Sequence, residues 1–128
     1  MREIKFRFWD DSLNEFVNIT ATCSLNIKKM IQGKENNIIL SQFTGLKDKN
    51  EKEIYEGDIV IYDRGVGNWT GQRMSTTHEI VFTDEVFAFV MKYGSSYIKL
   101  RKHWNYIYEV VGNIYENPEL LSTPTAVL

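Results

Sequence analysis

Apolar and polar positions alternate from residue 3 to residue 9. Ile4, Phe6 and Phe8 fall on one side, and Glu3, Lys5, Arg7 and Trp9 on the other. Side chains of a strand change face at every residue, so this segment predicts a half-buried strand with the Ile4/Phe6/Phe8 face inward and Lys5 and Arg7 in solvent. On that facing, Phe6→Ala should cost about 3–5 kcal/mol. Turn chemistry at Asp10-Asp11-Ser12-Leu13-Asn14 leads into a second strand, Glu15 to Ile19, completing a hairpin. Leu25, Ile27, Met30 and Ile31 fit either a strand or one helical turn, so residues 23–31 stay undecided. Gly33 and the polar run Gln32 to Asn37 mark an exposed loop, and Ile38 to Leu40 with Gln42-Phe43 read as a third strand.

A charged, turn-rich connector lies between Gly45 and Gly57, followed by a buried strand at Ile59-Val-Ile-Tyr62. Arg64 to Ser75 carries Gly65, Gly67 and Gly71 around Trp69 and reads as a flexible loop. His78 to Phe82 and Val86 to Tyr93 are two further strands joined by a turn at Thr83-Asp-Glu85; Tyr97 to Leu100 continues the pattern, and Tyr106 to Val111 closes it. Asn117-Pro118 opens a terminal turn, with Glu119-Leu-Leu121 as one helical turn. Short strands at regular spacing predict a mainly β fold, α+β at most: an N-terminal hairpin subregion over 1–43, a C-terminal SH3-like small barrel over 44–121, and a frayed tail over 122–128. The SH3-like likeness rests on the Gly57-Asp58-Ile59-Val60 strand start, the variable loop and the meander that follows.

Composition narrows the classes. With 43% hydrophobic and 25% charged residues, the chain of 128 residues is globular rather than disordered. Fifteen basic residues stand against 17 acidic ones, a net charge of −2, so no global basic field draws the chain to nucleic acid. Cys23 is the only cysteine, which excludes an internal disulfide and a cysteine zinc cluster and suits a reducing cytoplasm. The charged start Met1-Arg-Glu-Ile-Lys lacks an apolar signal core, and no stretch approaches the roughly 20 apolar residues that span a bilayer. The expected location is the cytoplasm of the cell that makes the chain.

Candidate chemistry is sparse. Glu53, Glu56 and Asp58 could offer carboxylates for acid/base work or a metal, but the calcium-loop pattern is missing; they read as a solvated turn, with Asp58 bonding nearby backbone donors. His78 and His103 have no partner at a recognisable catalytic spacing and read as surface or strand-end residues, and Cys23 as a small apolar side chain. The glycine loop lacks the lysine and Ser/Thr of a phosphate cradle. No catalytic residue, metal or cofactor is therefore expected. Two features could bind partners. Trp69 either anchors a partner from its loop or folds over its own core. Lys99, Arg101, Lys102, His103, Trp104 and Tyr106 interleave charge with rings, which suits a phosphate backbone with stacked bases or, alternatively, a solvated strand face before a turn.

Three segments carry a family resemblance. Arg2-Glu-Ile-Lys-Phe-Arg-Phe-Trp-Asp10, Gln42 to Ile59, and Val111 to Leu121 resemble, in order, the YopX family of phage and prophage proteins. The middle segment departs at Glu51, where the family pattern has glycine, and the first at Phe8, where a small residue is common. The resemblance implies phage or prophage origin and transfers no catalytic residue, because the matched positions are turn-formers and apolar anchors. The reading is a non-enzymatic accessory protein that binds a host or phage protein, as a homo-oligomer that pairs its strand edges; the alternative is a nucleic-acid-binding module using the strip from Lys99 to Tyr106.

Overall fold

A computed structural model describes residues 3–17, 38–66 and 71–122, without the side chains of Arg73, Trp104, Asn105, Tyr106 and Ser122. Chain contacts divide it into two compact units, Met1–Phe43 and Thr44–Leu128. Two antiparallel sheets make up the fold, one curled into a half-barrel, so the mainly β expectation holds. Residues 18–37, which include Cys23 and the undecided segment 23–31, lie outside the described residues, as does Trp69.

In the first unit β1 (Phe6–Asp10) lies between β2 (Glu15–Val17) and the start of β3 (Ile38–Lys47). The predicted alternation is present, but the strand faces the other way. Trp9 is 2% exposed, whereas Phe6 is 46% and Ile4 62% exposed. The inward face is the one bearing Lys5, Arg7 and Trp9. Trp9 meets Phe16 edge-on at 5.0 Å, the Arg7 guanidinium lies 4.6 Å over Phe16, and the Lys5 ammonium lies 5.4 Å over Phe43. One buried indole plus two cations seated over aromatic rings outweighs the three smaller apolar groups.

The second unit holds β4 (Glu53–Tyr55), β5 (Asp58–Val66), β6 (Arg73–Thr83), β7 (Ala88–Tyr93), β8 (Ser96–Lys99) and β9 (Tyr108–Asn113), with a 3-10 helix at Lys102–Ile107 and α1 at Glu119–Ser122. Sheet order is β8-β7-β6-β5-β9. β6 changes partner midway: Glu79 pairs with Ile59 of β5, and the next residue, Ile80, with Met91 of β7. One bent strand thereby ties both halves of the sheet. The core lies on one face, with Ile54, Val60, Tyr62, Ile80, Met91 and Tyr108 all buried.

Several predicted boundaries move: the connector read between Gly45 and Gly57 holds the end of β3 and all of β4, and the strand read from Val86 starts at Ala88. Arg64 to Val66 and Arg73 to Ser75 are strand rather than flexible loop. Gly65, at φ +83°, absorbs a register shift between Asp63 and Val66, and the Asp63 carboxylate accepts its N–H at 2.9 Å, so this glycine serves a bulge within the strand. Tyr106 belongs to the 3-10 helix, and the closing strand starts at Tyr108. Lys102 to Tyr106 are accordingly helical and not a strand face.

Candidate functional site

The turn after β3 meets the closing strand β9. Asp48 opens the turn after β3 and is 1% exposed. Its Oδ1 accepts the N–H groups of Asn50 and Lys52 at 2.8 and 2.9 Å, and its Oδ2 accepts the N–H of Val110 in β9 at 2.8 Å. The Lys49 N–H donates to the Tyr108 carbonyl at 2.9 Å. β9 is the outer strand of its sheet, so these bonds occupy an edge that would otherwise be open to pairing. Glu51 sits in this turn at φ +65°, the backbone region for which glycine is the low-cost residue.

A second junction joins Gly57 to the C-terminal segment. Gly57, at φ +85°, donates its N–H to the Ile80 carbonyl, and its own carbonyl accepts the Ile114 N–H, both at 2.8 Å. A Cβ here would sit 3.2 Å from the Tyr115 ring. Asp58, 2% exposed, accepts the Tyr55 N–H at 2.8 Å. The expectation that Asp58 fixes the turn through backbone donors is met, although the site is buried and not solvated. Beyond it, Asn113 Oδ1 accepts the N–H groups of Tyr115 and Glu116, and Asn117 Oδ1 accepts that of Asn113 at 3.3 Å. Gly112 makes room for Asn117: a Cβ would lie 2.5 Å from its Oδ1. These polar residues are engaged in holding backbone.

His78 is no surface histidine. It is 3% exposed in the middle of β6, with its ring 6.3 Å from Tyr62 and 5.4 Å from Tyr93. A carbonyl can only accept, so Nδ1 donates to the Lys92 carbonyl at 2.9 Å, and Nε2 of the neutral ring accepts from the Thr76 hydroxyl. Burial pushes its pKa below the usual histidine value; the bond to Lys92 opposes this and the Arg64 charge adds to it. The imidazole continues the β6–β7 connection past the last backbone pair, Ile80 with Met91. Both ring nitrogens are occupied, so this histidine acts as a fastener. Among the described residues no group of three or more His, Cys, Asp or Glu could hold a metal ion, and no helix is long and apolar enough to cross a membrane.

The exposed features lie elsewhere. Lys99 ends β8, and Arg101, Lys102 and His103 are exposed. The side chains of Trp104 and Tyr106 lie outside the description. Sequence reasoning missed the β6–β7 hairpin tip. Phe82 and Phe89 face each other across the strands, ring centroids 5.4 Å apart, on the face that carries Ile80 and Met91 inward. Phe82 is 45% exposed, Val86 45% and Phe87 80%. Phe87 has φ +52°, a backbone region in which a bulky residue is an outlier. The run Val86-Phe-Ala-Phe89 carried the signal, but it reads equally as a buried strand.

A small antiparallel β protein whose turn motifs brace its sheet is the class that fold and geometry define. A model of the YopX protein family matches residues 5–122, and the chain belongs to the YopX family. Among solved structures it is similar to the crystal structure of protein EF1440 from Enterococcus faecalis, at 27% identity and a TM-score of 0.62, over 94% of this chain and 99% of that one. No curated protein matches it.

Proposed function

We propose that this YopX-family chain is a non-enzymatic accessory protein of phage or prophage origin, working in the host cytoplasm by holding another protein against its β6–β7 hairpin tip. The observation that carries the reading is Phe87, which gains neither burial nor a relaxed backbone where it stands. A bulky ring in the left-handed region costs about 1–2 kcal/mol, and exposed it recovers none of that by packing. Phe82, Val86 and Phe89 extend the apolar surface around it, as buried anchors of a partner contact do. The polar residues of the matched segments are committed to backbone bonds, which supports a structural role for them over a catalytic one. The SH3-like reading of the second unit is supported by the partner change of β6, the way small barrels turn corners. Self-association through the β8 edge is a further part of the proposal.

Photo-crosslinking tests it. With a benzophenone amino acid at Phe87, expressed in the host, a discrete heterologous adduct should form and be lost on adding Phe82→Asp. Labelling no stronger than at the exposed position Glu51 contradicts the proposal.

A further inference from the structure

We propose that the β7–β8 hairpin and the segment after it form a binding surface for single-stranded nucleic acid. From Val86 to Tyr108 the chain carries Lys92, Lys99, Arg101 and Lys102 without one Asp or Glu, in a protein of net charge −2. All four basic residues are exposed. The strand register pairs Lys92 with Tyr97 and Val90 with Lys99. Paired residues share a face, as do residues two apart, so Tyr97 stands between Lys92 and Lys99 on one side of the hairpin. Tyr97 is 40% exposed. Lys92 also acts on Glu79, whose carboxylate it stabilises against the upward push of burial, so the surface draws its positive charge chiefly from Lys99 and Lys102. The path of that segment is fixed: Arg101 donates its backbone N–H at 3.0 Å to the hydroxyl of Tyr108, a residue buried in the core.

An exposed ring flanked by lysines on a fixed backbone is the arrangement in which a base stacks while its phosphates meet ammonium groups. Single strands are favoured over duplex because the central element is a ring face, which needs an unpaired base. An acidic polypeptide without aromatic or apolar side chains would meet the charges and leave the ring unused.

Fluorescence anisotropy of a labelled oligothymidylate at about 50 mM salt tests the surface, since low salt favours phosphate contacts. Binding is expected to weaken about tenfold in Tyr97→Ala, the loss of one stacked base. Lys99→Ala and Lys102→Ala should each reduce the slope of log affinity against log salt by about 0.7. Phe87→Asp should bind as the parent does, which separates this surface from the hairpin tip. All variants alter exposed side chains, and unchanged thermal unfolding confirms that they fold. The proposal is overturned by no binding at that salt, by full binding in Tyr97→Ala, by equal affinity for the matching duplex, or by equal competition from polyglutamate.

Discussion

The Asp48 carboxylate accepts the Val110 backbone N–H at 2.8 Å, between residues 62 positions apart. Val110 belongs to the sheet's outer strand, so one buried side chain both closes a turn and covers a strand edge. Buried backbone donors are costly to leave unmade, which accounts for a buried acidic residue at this junction.

Glu51 occupies a left-handed backbone position in the same turn. Glu51→Gly should raise stability by about 1 kcal/mol, because glycine carries no steric penalty there. Urea unfolding of the two proteins measures it, and a lower midpoint for the glycine variant would show that Glu51 is held by something beyond its backbone.

Trp9 and Phe6 test the facing of β1. Trp9→Ala should cost about 3–5 kcal/mol, and Phe6→Ala well below that, since only the first ring is buried. Equal losses in thermal or urea unfolding would argue against the inward Lys5/Arg7/Trp9 face.

His78 gives stability a pH dependence. Its folded pKa is lowered, so the unfolded chain binds the proton more readily. The contribution is complete above the ordinary value near 6.5 and is lost as pH falls from there through the folded pKa, at no more than about 1.4 kcal/mol per pH unit. Burial raises the Glu79 pKa, and its effect has the opposite sign, fading as pH rises above the ordinary 4.5. Subtracting the urea midpoints of His78→Gln from those of the parent across pH 4.5 to 8 isolates the histidine; a flat difference would contradict the assignment.

Gly112 leaves space for Asn117. Gly112→Ala should destabilise by about 2 kcal/mol through overpacking, and adding Asn117→Gly should recover part of the loss. Additive losses in the double variant would mean that the two positions do not meet.

Much of the β pattern was legible because strands print their period on the sequence. The strands around Ile59, Phe82 and Val90 and the helical turn at Glu119 lie close to where alternation and turn residues put them. Alternation defines two faces without saying which is buried, and Trp9 with its neighbouring cation stems decided that for β1. Gly65 looked like loop because a bulge and a loop draw on the same residue. Asp48 could be seen only as a turn-former, since its third donor lies in another strand. The exposure of Phe87 depends on where its hairpin ends, which local sequence does not specify. The homo-oligomer expectation rested on open edges; the β9 edge is occupied within the chain, and the proposed self-association concerns the β8 edge.

Amide hydrogen exchange of Val110, Asn50 and Lys52 in the parent and in Asp48→Ala tests most directly whether the turn after β3 and the outer strand β9 brace each other. In the parent, all three amides should exchange as slowly as the core. In Asp48→Ala, which removes their shared acceptor at a cost of about 3 kcal/mol, all three should speed up together by about a hundredfold. A Val110 amide that exchanges at a loop's rate in the parent, or is unaffected by the substitution, would contradict the brace.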